Sequence, residues 1–214
     1  MATVTVKKIG YGQVEPNQLS AQKTGQIYAS LPLDEAVTTL QNGEFMYYSY
    51  ADNKVTAEPT VEGQEPMLVF NEIKIYEDWL SYKDFAMIRV GDNYVTNRAA
   101  VGNLTSANVD GTIYGDGALT KGVNPDPAHS DWQAGYRMDG IAPRLFKTNI
   151  GDIFTTNMVK DGDYKEGDTL VPALNSDSKT LVLEPGSTGN MVWVVAKAYN
   201  LADGQPAVKI QRIK

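Results

Sequence analysis

The chain has 214 residues, with 19 Lys and Arg against 26 Asp and Glu for a net charge of −7, a single histidine and no cysteine. The negative balance opposes a phosphate backbone and excludes a nucleic-acid partner, and the lack of cysteine excludes disulfides, thiolate catalysis and Cys-ligated zinc. With 42% hydrophobic and 21% charged residues the composition is that of a globular chain, long enough to bury roughly 70% of its unfolded surface without a metal or disulfide staple.

The opening "MATVTVKKIG" lacks the charged-then-apolar layout of a secretory signal, and no apolar run reaches the roughly 18 residues of a membrane span. No membrane partner is expected. Thr3, Val4, Thr5 and Val6 are β-branched and precede Gly10 and Gly12, which predicts a short strand or an extended terminal arm. In "LPLDEAVTTLQNG", Pro32, Asp34 and Glu35 suit a helix start, Ala36, Val37 and Leu40 share a helical face, and Gly43 suits its end. This is the helix candidate of the first half, with a turn leading into a hairpin as the alternative.

"GEFMYYSYADNKVTAEPTV" reads as a hairpin turning at Asp52 and Asn53. Phe45, Tyr47 and Ser49 face one way, and Met46, Tyr48 and Tyr50 the other, so both faces meet protein. Residues 67–70 form a continuous buried run after Pro59 and Pro66. Ile73 and Ile75 then alternate with polar residues, residues 85–90 and 94–96 pair about Gly91 and Asp92, and Trp79 and Tyr82 lie between.

Residues 103–140 are crowded with Gly and Pro and are expected to form a long irregular excursion that lies on a neighbouring subunit. From residue 149 onward, "DIFTTNMV", "DTLVPAL", "TLVLEP", "MVWVVAKAY" and "AVKIQRI" are five strands of an antiparallel barrel or sandwich. The run at 191–196 is its central strand, with Trp193 in the core, and "AVKIQRI" a half-exposed edge. The expected fold is mainly β, with antiparallel barrel or sandwich modules, long loops and little helix. It divides into an N-terminal domain at 1–148 and a small C-terminal barrel or sandwich at 149–214.

Candidate chemistry is thin. His129 in "NPDPAHSDW" has Ser130 and Asp131 beside it, but adjacent residues do not form the nucleophile–base–orienter line of a triad. In "KDGDYKEGD", Asp161 and Asp163 match the first two ligands of a calcium loop. Lys165 then stands at the third ligand position and Glu166 where the glycine belongs. "GDGALTKG" lacks the Gly-Lys-Ser/Thr of a phosphate loop. No catalytic residue, cofactor or metal is therefore predicted, and the protein is expected not to be an enzyme. The twelve tyrosines and three tryptophans are more telling, since amphipathic rings are enriched at interfaces. Tyr47, Tyr48, Tyr50, Trp79 and Tyr82 are the candidate protein interface, with a core role as the alternative.

The stretch "LQNGEFMYYSYADNKV" resembles the opening of tailed-bacteriophage virion structural proteins, with a short lead-in, Asn-Gly, a strand, an acidic turn and a strand. "YKEGDTLVPAL" and "TGNMVWVVAKAYNLADGQPAVKIQRI" are similar to the β-rich end of phage head decoration (cement) proteins. There, Gly-Asp-x-Leu precedes an apolar strand, and a turn leads to Val-Lys-Ile. The resemblance covers about half the chain and leaves out residues 103–140. It implies a capsid decoration protein that binds the assembled head and stabilises subunit seams, with the major capsid protein as partner. It also implies a homo-oligomer located on the virion, and in the host cytoplasm during assembly. A tail or baseplate component and a carbohydrate-binding module or glycoside hydrolase, stacking sugars on Trp79, Trp132 or Trp193, are the rival readings. On the decoration reading, deleting residues 1–12 weakens attachment and leaves the body folded.

Overall fold

The computed structural model describes residues 3–8, 12–34, 36–37, 39–71, 88–89, 142–201 and 204–214. The excursion at 103–140, His129, Trp132, Trp79, Tyr82 and the strands expected at 73–76 and 94–96 lie outside the described residues. Within them the protein is mainly β with little helix, and its antiparallel sheets form a curled half-barrel.

In chain order the elements are β1 (Val4–Val6), β2 (Val14–Gln18), α1 (Ser20–Thr24), β3 (Ile27–Tyr28), β4 (Thr39–Leu40), β5 (Phe45–Ser49), β6 (Lys54–Thr56), β7 (Met67–Val69) and β8 (Ile88–Arg89). The chain continues with β9 (Leu145–Phe146), β10 (Ile153–Thr156), β11 (Gly162–Tyr164), β12 (Thr169–Asn175), β13 (Thr180–Pro185), β14 (Trp193–Asn200) and β15 (Pro206–Arg212). The main sheet runs β2-β10-β15-β14-β12-β13-β5-β7-β9-β3, with β6 added to β5; β1 pairs β11 and β4 pairs β8.

The two ends of this path, β2 and β3, are consecutive in the chain and are joined by residues 19–26, which contain α1. Residues 147–152, which join β9 to β10, are bonded to that link. Asp152 accepts the Ser20 N–H at 3.0 Å and the Ser20 hydroxyl at 2.9 Å, the Asn149 amide donates to Ser20 Oγ at 2.6 Å, and Lys147 N–H donates to the Gln26 carbonyl at 3.1 Å. The sheet therefore curls until its edges are tethered through side chains, which leaves fewer open strand edges. Pro16 in β2 also denies one donor to any added strand.

The alternation along β5 organises the core. Phe45 and Tyr47 join a cluster with Phe154, Trp193, Leu170, Val208 and Ile210, while Met46 and Tyr48 join a second one with Leu33, Val37, Leu40, Val55 and Leu145. Both faces of β5 meet protein, as the sequence predicts. Phe45, Phe154 and Trp193 form a triangle with ring centroids 5.0–6.4 Å apart, within the range of favourable tilted packing. The first cluster draws on residues from Val6 to Ile210, and β13 pairs with β5 at Leu181 and Phe45. Residues from both sides of position 148 thus contribute to one sheet and one core.

All five strands expected in the last third are present, and β14 is interior as predicted, with Trp193 fully buried. Its partner β15 is interior too, between β10 and β14. The expectation of an edge is corrected: β15 bonds to β10 along one side and to β14 along the other, and Ala207, Val208 and Ile210 have no solvent contact, while half-buried Lys209 and Gln211 mark only a face of the strand. The helix expected in 32–43 does not form. Asp34 N–H donates to the Val55 carbonyl at 2.9 Å, Val55 N–H donates to the Pro32 carbonyl at 2.8 Å, and the Asp34 carboxylate accepts the Ala36 N–H at 2.8 Å. Extended pairing plus an Asx turn satisfies the backbone that two marginal helical turns would have satisfied.

The terminal segment is not a free arm. It is a strand on β11, and Val6 is fully buried in the first cluster, so removing residues 1–12 would take part of the core with it.

Candidate interaction surface and a buried polar cluster

Of the five tyrosine and tryptophan positions read as an interface, three are described, and the fold turns two of them inward and leaves the third exposed. Tyr47 is half-buried against the first core cluster. Tyr48 is only 4% exposed in the second, with its hydroxyl bonded to Ser30 Oγ and its ring 5.2 Å from Tyr28. Tyr50 is 69% exposed and stands edge-on to Tyr48 at 4.9 Å. Strand alternation places Tyr48 inward, and the turn that follows Ser49 releases Tyr50 to solvent.

The loop at 57–66 is folded against this hairpin. The Gln64 amide donates to the Tyr48 carbonyl at 3.1 Å, Gln64 Oε1 accepts the Thr60 N–H at 2.8 Å, and Gln64 N–H closes a turn on the Val61 carbonyl at 3.2 Å. Val61, 62% exposed, is thereby tied through Gln64 to β5, the strand that ends before Tyr50. Asp52, Glu58 and Glu62, in the same turn and loop, are exposed as well. Farther along the loop Glu65 pairs with Arg212, whose carbonyl accepts the Gly151 N–H at 2.9 Å. This contact links the loop to a region bearing exposed Ile150 and Ile213.

A second cluster lies where residues 3–8 pass the turn between β4 and β5. Lys8 Nζ and the Gly12 N–H both donate to Gln41 Oε1, at 2.8 and 2.7 Å. Glu44 has no solvent contact; its carboxyl accepts the Gln41 N–H at 2.7 Å and the Thr180 hydroxyl at 2.9 Å. Burial pushes the Glu44 carboxyl up to about 7, against the opposing pull of its two hydrogen bonds and of Lys8. Burial also lowers Lys8, outweighing the attraction of Glu44 and Asp161. Lys8 borders a cavity of about 410 Å³ lined by Met158, Val159, Leu174, Val182 and Glu184. Lys160 at its rim pairs with Glu184 at 3.0 Å.

Sequence reasoning missed this cluster because its members are spread along the chain and belong to no motif. The one local signal was Asn42-Gly43 ahead of a strand, which marks the turn that carries Gln41 and Glu44. In the calcium-like run, Asp163 accepts the Thr5 hydroxyl across β1 and β11, and Asp168 accepts the Lys165 N–H at 2.9 Å. Those carboxylates are engaged in sheet and turn. Among the described residues no group of three or more His, Cys, Asp or Glu side chains is placed to hold a metal ion. Compared with protein-family models, with curated proteins and with solved structures, the chain has no match.

Proposed function

We infer that the protein is a non-enzymatic virion structural protein that binds the assembled head as a decoration, or cement, protein and stabilises the seams between capsid subunits. The observation that carries this reading is the exposure of Tyr50, in the turn after β5, and of Val61, in the loop that Gln64 ties to β5. An aromatic ring presented in a tight turn and packed edge-on against the Tyr48 ring loses little freedom on docking, which is what makes such residues binding anchors. Exposed Asp52, Glu58 and Glu62 in the same turn and loop favour a partner surface rimmed with Lys and Arg. The resemblance to decoration proteins read in 40–55 and 164–213 agrees with the reading. An interface of roughly 1,200–2,000 Å² suffices for specific attachment, so the hairpin end needs the contribution of further surface, including other copies of the chain on the same head.

The test is electron microscopy of virions of the phage that encodes the chain, with the protein marked by a bound antibody fragment. Label over the head faces is the expected result. Label confined to the tail or baseplate would transfer the protein to the rival virion position.

A further inference from the structure

Lys8, Gln41, Gly12 and Glu44 place an amine, an amide, an oxyanion donor and a buried carboxyl together. The Lys8 nitrogen is one hydrogen bond from the Gln41 side-chain amide, whose oxygen is also held by the Gly12 N–H. A backbone donor fixed on an amide oxygen stabilises the negative charge that develops when the carbonyl carbon is attacked. Gly12 brings that donor in because it has no side chain: a Cβ there would lie 2.2 Å from the Asn42 carbonyl oxygen and 3.2 Å from Gln41 Cβ. The Glu44 carboxyl is bonded to the backbone N–H of the same Gln41 and anchored from the far side by Thr180.

We propose that Lys8 and Gln41 join spontaneously in an intramolecular isopeptide bond, with ammonia as the by-product. The neutral Lys8 amine attacks Gln41 Cδ, forming the Nζ–Cδ bond and moving the carbonyl π pair onto Oε1, where the Gly12 N–H holds it. Collapse of this intermediate restores the carbonyl and breaks the Cδ–Nε2 bond. The Glu44 carboxyl supplies one proton to the departing Nε2 and takes one from Nζ, so it ends as it began. No oxidant or other reactant is consumed. The displaced burial equilibria of Lys8 and Glu44 favour the neutral amine and the protonated carboxyl that this step uses. Asp161 is the other charged group that acts on Lys8.

The bond would tie the residue pair across a separation of 33 positions and fasten β1 to the turn before β5. A chain without cysteine would gain a covalent staple by another route. The inference does not depend on the capsid reading.

Intact-mass spectrometry of the purified protein after incubation at neutral pH tests it. The expected mass is one ammonia below that of the sequence, with a branched proteolytic peptide joining Lys8 to Gln41 and no tryptic cleavage after Lys8. Asn42-Gly43 could lose ammonia by closing on itself, and Lys8→Arg separates the two: the loss disappears in this variant if Lys8 is the nucleophile. Glu44→Gln should slow the loss at least tenfold. The branched peptide is read from the native chain, so the test survives a variant that folds poorly. A full sequence mass in the native protein, or an ammonia loss that persists in Lys8→Arg, overturns the proposal.

Discussion

Glu44 is a carboxyl with no water contact whose proton is held to about pH 7, so it binds a proton in the folded state over a range in which the unfolded chain has released it. Its stabilising contribution is present below its ordinary value of 4.5 and is lost as pH rises through about 7. At about 1.36 kcal/mol per pH unit this amounts to roughly 3 kcal/mol. Urea unfolding of the native protein at pH 5 and pH 7.5, set against Glu44→Gln over the same interval, should show the decline in the native protein and a flatter dependence in the variant. Comparing slopes within each protein removes any constant offset from the staple. Equal slopes would place the proton elsewhere.

Trp193 is a different kind of residue-scale tension. Its indole N–H is buried without a hydrogen-bond partner among the described residues, in the middle of the Phe45–Phe154 triangle. An unpaired buried donor costs about 1–3 kcal/mol, and Phe removes it while keeping most of the ring. Trp193→Phe should therefore cost no more than about 1 kcal/mol, whereas Trp193→Ala opens a cavity and should cost about 3–5 kcal/mol. Chemical denaturation of both variants measures the contrast.

At the scale of elements, β1 and α1 depend on partners far along the chain. Val6 is sealed into the core by pairing with β11, so Val6→Ser should lower stability by about 2–3 kcal/mol, seen as a melting point about 4–12 °C lower. Helix α1 has only five residues and its N-cap, Leu19, has no side-chain cap. Asp152, 132 positions away from Ser20, does that work. Asp152→Ala should cost about 1–3 kcal/mol and raise amide exchange in 19–26 ahead of the rest of the sheet.

These same elements mark the limit of what could be read from the residues. The hairpin at β5 and β6, the buried run of β7 and the five strands β10, β12, β13, β14 and β15 were legible because alternation and turn residues are local. Helix α1 was not read, because five residues are too few to display a helical period. In 32–43, helix and turn signals overlapped, and the choice was made by Val55 of a strand not yet paired. The edge assignment of β15 failed for a related reason: half-polar alternation describes a strand's faces and says nothing about which neighbours bond to its two sides. The Lys8 cluster was illegible throughout, since four residues from two separate segments acquire their chemistry only on meeting.

For the molecule as a whole, the curled sheet makes a body braced at its seam, with Glu44 turned inward and exposed Tyr50, Val61 and Ile150 in turns and bends. Surface substitutions away from core and caps usually change stability by less than about 0.5 kcal/mol, so Tyr50→Ser with Val61→Ser should fold and melt like the native chain. The pair should nonetheless lose attachment, because a central anchor commonly carries 2 kcal/mol or more of binding energy. Raising the salt concentration should weaken attachment further if the acidic rim meets a basic one.

The most direct measurement is a sedimentation titration of the purified protein onto assembled heads that lack it, run for the native chain and for the Tyr50→Ser, Val61→Ser variant. Saturable co-sedimentation of the native protein, with affinity at least tenfold weaker in the equally stable variant, is the predicted result. A native protein that stays in the supernatant at every concentration would contradict the account.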